Sequence, residues 1–133
     1  MTPSIIAICV GASLGALARW QLSLLFLPTA ATIPGTVIPL GTLAANLIGG
    51  YLVGVSVAVF QALPQLDPVW RLLLITGFLG GLTTFSSFSA EVVLMLMQQR
   101  FVLAIGTVCV HLLGSLLLTV VGMKTVSLFL PAP

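Results

Sequence analysis

The residues that could carry chemistry are concentrated in "GGLTTFSSFSAE", residues 80–91, within an otherwise apolar run from Leu72 to Met97. Five hydroxyl side chains, those of Thr83, Thr84, Ser86, Ser87 and Ser89, frame Phe85 and Phe88. Glu91 follows, one of only two acidic residues in the chain. Two Phe three residues apart share a helix face, and on spacing alone they read as core packing. Their company shifts that reading. Hydroxyls flank both rings, and Gly77, Gly80 and Gly81 precede them, where glycine weakens a helix. In so apolar a segment a break must be buried in protein or line a wet cavity.

Two more polar stripes accompany this one. In "GTLAANLIGGYLVG", Thr42 and Asn46 are four apart and share a helix face, continued by Gly49 and Gly50. An Asn there must find partners, and two readings stand: glue between helices, or an amide N–H aimed into a pore. Further on, Thr107, His111, Ser115 and Thr119 follow one another at four-residue steps. His111 is the pH-sensitive member. A lone His in such a stripe reads as a hydrogen-bonded packing residue rather than a proton carrier.

A cation path is built from carboxylates or backbone carbonyls. An anion path needs hydrogen-bond donors and the positive edges of aromatic rings. The stripes offer an amide, clustered hydroxyls and two Phe, whereas the only carboxylate near them is Glu91. Arg19 adds positive potential at a mouth. The balance favours a small, tightly hydrated anion, whose water shell only a dense line of donors can replace. No G-x-x-x-x-G-K-[ST] pattern is present, so no nucleotide site is expected, and no nucleic acid is expected as a partner. No carboxylate pair is available to couple protons, which points to passive flow and not to an enzyme or a pump.

The elements that must position these residues follow from composition. Over 133 residues the chain is 59% hydrophobic and 5% charged, with a mean hydropathy of +1.30. A soluble domain would carry roughly a quarter charged residues, so the chain is read as a membrane protein in a lipid bilayer. About 20 apolar residues cross the hydrocarbon core. Four runs qualify, near 4–26, 37–62, 69–97 and 101–130, joined by "LPTAATIPG", "LPQLDP" and "QQR". The expected fold is all-α, a single four-helix transmembrane domain over residues 1–133. The last two runs exceed one straight span, which implies tilt, a break or an overhang. The first run lacks a basic leader and reads as a retained helix. Gly11 and Gly15, and Gly50 and Gly54, form GxxxG patterns that read as close helix packing. Cys9 and Cys109 fall in apolar runs as small hydrophobes, with no disulfide, metal or redox site expected.

Threading the four spans puts Arg19 and Arg100 towards one side and Arg71 and Lys124 towards the other. Orientation follows Lys/Arg asymmetry, and here the count is even. Either a weak bias is hidden, or both orientations are made and antiparallel homodimers form. Four helices are too few to enclose a pathway, and a single copy would show polar faces to lipid, which argues for an oligomer.

"GASLGALARW", "GTLAANLIGGYLVG" and above all "GFLGGLTTFSSFSAE" resemble the Fluc/CrcB family of fluoride channels. Three of the four spans carry the likeness, and the fourth carries it through its polar stripe. Ser87 stands where Thr is more usual, and the hydroxyl survives. The resemblance implies a dual-topology homodimer in the bacterial inner membrane, exporting fluoride through two antiparallel pores. It makes Phe85 and Phe88 the rings whose edges meet fluoride, and Asn46 the pore donor. Ser87, Ser115, Thr42 and His111 fall along the polar track, Arg19 near a vestibule and Glu91 near a mouth. It also implies a structural sodium ion at the dimer centre, held by the backbone carbonyls of Gly80 and Thr83 from both subunits.

Other classes meet specific objections. A small multidrug exporter needs a membrane-embedded carboxylate in its first helix to exchange protons for the cation, and the first run has Arg19 and no acid. A proton-coupled fluoride antiporter would have His111 as its only titrating candidate in mid-membrane. A non-transporting assembly subunit would use the stripes as glue alone.

Overall fold

The computed structural model describes residues 1–32 and 39–130, with side chains throughout these except at 27–32. Five helices account for them: α1 (Thr2–Thr32), α2 (Leu40–Ala62), α3 (residues 68–82), α4 (Phe85–Met97) and α5 (Phe101–Ser127). By length and hydropathy four stretches can cross a membrane: Thr2–Phe26, Leu40–Ala62, Pro68–Met97 (α3 with α4) and Phe101–Ser127. These match the four expected runs. The second begins at Leu40, and the residues before Pro39 that the expected span included lie outside those described. The connection expected at "LPTAATIPG" is shortened, because α1 continues to Thr32.

The turns have local causes. Asp67 caps α3, its carboxylate accepting the Val69 N–H at 2.8 Å, and Pro68 follows at the first helical position, where its missing N–H costs nothing. Between α4 and α5, Gln99 adopts φ 58°. Around it Arg100 N–H bonds the Met95 carbonyl and Gln99 N–H that of Leu96, which closes α4 with a left-handed C-terminal cap.

Glycines set how closely the helices approach. A Cβ on Gly11 or Gly15 of α1 would run into the Leu73 or Phe78 carbonyl of α3. Across the same seam, a Cβ on Gly77 would lie 2.9 Å from the Ile8 carbonyl oxygen. The second seam joins α2 to α5: a Cβ on Gly50 would lie 2.9 Å from the Ser115 carbonyl oxygen, and one on Gly54 would strike that of Thr119. Both GxxxG patterns therefore pack backbone on backbone. The partners advance together, Asn46 with His111, Gly50 with Ser115, Gly54 with Thr119, so α2 and α5 run parallel.

The core is small, Ala45, Leu79 and Leu82 with Ala18, Leu22, Leu52, Val53 and Phe78 around them. Large apolar side chains such as Leu25, Val102 and Leu117 point outward instead. A solvent of lipid permits this, since outward apolar surface then carries no hydration penalty. Cys9 and Cys109, both free, share that outward surface and are not buried small hydrophobes.

The third span is broken, but not by its glycines. Residues Leu72–Leu79 form a π-helical stretch, and Gly80 continues as helix with φ −63° and ψ −35°. Gly77 and Gly81 serve the contact with α1. The chain leaves the helix at Thr83 (φ −80°, ψ 154°) and Thr84 (φ −149°, ψ 117°), both extended, and re-enters at Phe85. β-Branched Thr tolerates extended backbone well. The Thr84 hydroxyl then caps α4 by accepting the Ser87 N–H at 3.1 Å.

Candidate functional site

The break at Thr83–Thr84 strips backbone groups of their helical partners, and Asn46 on α2 takes them up. Its side-chain oxygen accepts the Thr84 N–H at 2.8 Å, and its amide nitrogen donates to the Thr84 carbonyl at 3.1 Å. The pair imitates one rung of a β-ladder. This is how a freed backbone is satisfied away from water. The same amide nitrogen lies 3.1 Å from His111 Nδ1 on α5. Asn46 thus ties three helices at one level.

Around this tie lies an open groove of about 330 Å³. Asn46, Thr83, Thr84, Phe85, Phe88, His111, Ser115 and Thr119 line it, with Val53, Leu112 and Leu116 as apolar wall. Phe85 and Phe88 are 5.7 Å apart, centroid to centroid, and tilted by 59°, so the edge of one ring is turned towards the other. Phe88 stacks on His111 with centroids 4.6 Å apart and planes 30° apart. Phe85 is 80% exposed on the open side. Along α5, Thr119 donates to the carbonyls of Gly50 (3.0 Å) and Ser115 (2.8 Å), and Ser115 reaches towards the Asn46 carbonyl at 3.5 Å.

Glu91 is held apart from the groove. One turn of α2 before Asn46, the buried Thr42 donates its hydroxyl proton to Glu91 Oε1 at 2.5 Å. The other carboxylate oxygen is buried with no partner among the described residues. One turn of α5 before His111, the buried Thr107 hydroxyl meets Met95 sulfur at 3.6 Å.

Of the residues singled out from the sequence, Asn46, Thr83, Phe85, Phe88, His111 and Ser115 come together on one groove. Thr42 and Glu91 form the adjoining pair. Ser87 stands at the cap of α4, where Thr84 Oγ1 donates to its hydroxyl at 3.1 Å. Arg19 lies half-buried on α1 and does not line the groove. Thr84 is the residue the sequence reading undervalued. In the sequence it is one hydroxyl of five, although a Thr just ahead of a helix start is a capping signal. The amide of Thr84 goes to Asn46 and that of Ser87 to the Thr84 hydroxyl, so neither turns back to the carbonyls of Gly80 and Thr83, which are oxygens of the kind a hard cation takes.

The family model described as CrcB-like protein, Camphor Resistance (CrcB), matches residues 6–123. The chain belongs to the CrcB family. That CrcB match runs from within α1 to within α5 and takes in every residue of the groove. Relatives named fluoride-specific ion channel FluC share much of the chain. The one from Albidiferax ferrireducens is 72% identical over 122 residues, covering 92% of this chain and 89% of its own. That from Variovorax paradoxus is 62% identical over 122 residues, with 92% and 93% covered. That from Tolumonas auensis is 56% identical over 128 residues, with 96% and 97% covered.

Proposed function

We propose that this CrcB-family chain is a passive, fluoride-selective ion channel, not an enzyme, and that it exports fluoride through two antiparallel pores of a dual-topology homodimer in the bacterial inner membrane. The observation that carries the reading is the groove itself: ring edges, an imidazole and hydroxyls converge on it while the nearby carboxylate is tied to Thr42. The names of the FluC relatives supply the ion.

Fluoride enters such a passage only if its hydration shell is replaced group by group. Phe85 and Phe88 offer positive ring edges, and His111, Ser115 and Thr119 place polar groups at one-turn intervals along the α5 face, the two hydroxyls being able to turn from their carbonyl partners to the ion. In a low-dielectric site each of these contacts is stronger than in water. Keeping Glu91 off the groove removes a like charge that would repel the ion.

The second copy is supported by what one copy leaves open. Phe85 and a polar groove would otherwise face lipid, which is costly for the polar groups. The even division of Lys and Arg supports copies inserted in both directions. A sodium ion held by Gly80 and Thr83 carbonyls at the centre of that dimer would supply fixed positive charge and tie the two broken spans together.

The test uses purified protein in liposomes loaded with potassium fluoride, with efflux followed by a fluoride electrode. Fluoride is expected to leave only when a potassium ionophore dissipates the charge, and chloride to stay behind. Efflux without the ionophore would replace the channel by proton-coupled exchange. No efflux from folded, dimeric protein would leave an assembly subunit.

A further inference from the structure

The close seam between α2 and α5 runs out before the helices do. A Cβ on Gly54 would strike the Thr119 carbonyl, and one on Gly122 that of Tyr51. One turn further along α2 stand Ala58 and then Ala62, and beside them on α5 Val126 and Ser127, which leave a cavity of about 490 Å³ between the two helix ends. It shares no residue with the groove around Asn46, and its size is that of a small-molecule site. Ala58, Met123, Val126 and Leu130 give it an apolar wall; Gln61 and Ser127 are polar, and Lys124 is the one charged residue lining it among those described. A Lys in the last turn of a helix suits that helix's own carbonyls, but this use does not explain an apolar cavity beside it. Both acids of the chain are engaged elsewhere, Asp67 at the cap of α3 and Glu91 with Thr42. The level in the membrane follows from the neighbours. α2 and α5 run parallel, so both end on the side where α3 begins, and there the exposed Trp70 stands with Arg71 and Lys124. Outward Trp and basic residues at the ends of spans mark the headgroup region.

We infer that this cavity holds an anionic glycerophospholipid, its phosphate on Lys124 and the first part of an acyl chain along Ala58, Val126 and Leu130. The argument is charge complementarity at a fixed depth. A single positive charge over an apolar wall, at headgroup level, matches a headgroup of one net negative charge over its chains. A zwitterionic choline headgroup would bring a second positive charge towards Lys124, and free phosphate would leave the apolar wall unused. The site lies apart from the anion groove, so the inference does not depend on which ion that groove passes.

The test is native mass spectrometry of the purified full-length protein, titrated with equal amounts of phosphatidylglycerol and phosphatidylcholine carrying the same chains. Phosphatidylglycerol is expected to be retained in preference. Lys124→Gln should weaken that retention about fivefold, the worth of one Lys near a membrane surface. Arg71→Gln removes a charge at the same end of the molecule but off the cavity, and should leave retention unchanged. Equal losses in the two variants would mean diffuse attraction to a charged end, and would overturn the inference. Should Lys124→Gln not fold, Ala62→Leu keeps the charge and takes up the space; it is expected to lose phosphatidylglycerol, and full retention overturns the inference. Wild-type protein with no preference between the lipids overturns it too. In that case, phosphatidylglycerol binding gained by a chain ending at Leu130 would give the cavity to residues 131–133, and a change of oligomer size in Ala62→Leu would give it to a second copy.

Discussion

Removing the Thr42 hydroxyl is expected to expose how Glu91 is held between α2 and α4. With Thr42→Val, both carboxylate oxygens are left unpartnered at a half-buried position, since only Oε1 has a bond to lose. Stranding a buried polar group costs about 1–3 kcal/mol, whereas replacing both partners by apolar groups is nearly neutral. The thermal midpoint in detergent should fall in the single variant and recover in part in Thr42→Val with Glu91→Met; a double variant worse than the sum of the singles would show that Glu91 has another partner. The aromatic pair is tested by function. Phe85→Ile and Phe88→Ile keep apolar bulk and delete the ring edges, so fluoride flux through liposomes should drop at least tenfold, about 1.4 kcal/mol in barrier, with the oligomer unchanged in size. Unchanged flux in both would make them packing residues.

At the scale of elements, the break in the third span depends on a cap and a clamp. Thr84→Val keeps the β-branched shape and the backbone bonds to Asn46 but removes the oxygen that accepts Ser87 N–H. A lost cap costs about 1 kcal/mol, and amide exchange in the first turn of α4 should quicken while that of α5 does not. Equal exchange in both would mean the cap is dispensable. The existence of four spans and the break was legible from apolar runs and from the unusual polarity of residues 83–89, because both signals are local in sequence. The agent of the break was not. Gly77, Gly80 and Gly81 have the composition of a helix breaker, yet the close α1 seam gives Gly77 and Gly81 another use and leaves all three helical. Likewise the four-residue stripes put Asn46 and His111 on helix faces correctly, while their mutual contact depends on the parallel register of α2 and α5, which no single-helix period encodes.

For the whole molecule, the deciding question is which way each copy faces. The Lys and Arg count is balanced between sides, so a small added bias should be enough to choose. A short run of lysines appended to the N-terminus would hold that end in the cytoplasm, and the chain expressed alone would then insert one way only. If the pores form only between head-to-tail copies, cells making this variant alone should regain no fluoride tolerance, and its liposomes should pass no fluoride. Co-expression with a copy forced into the opposite orientation should restore both, because the open groove of each would again find its counterpart. Tolerance from the single-orientation variant would instead mean that one chain, or a parallel pair, covers the exposed face of Phe85 by itself. The antiparallel dimer would then have to be abandoned, even though the groove and its donors would stand.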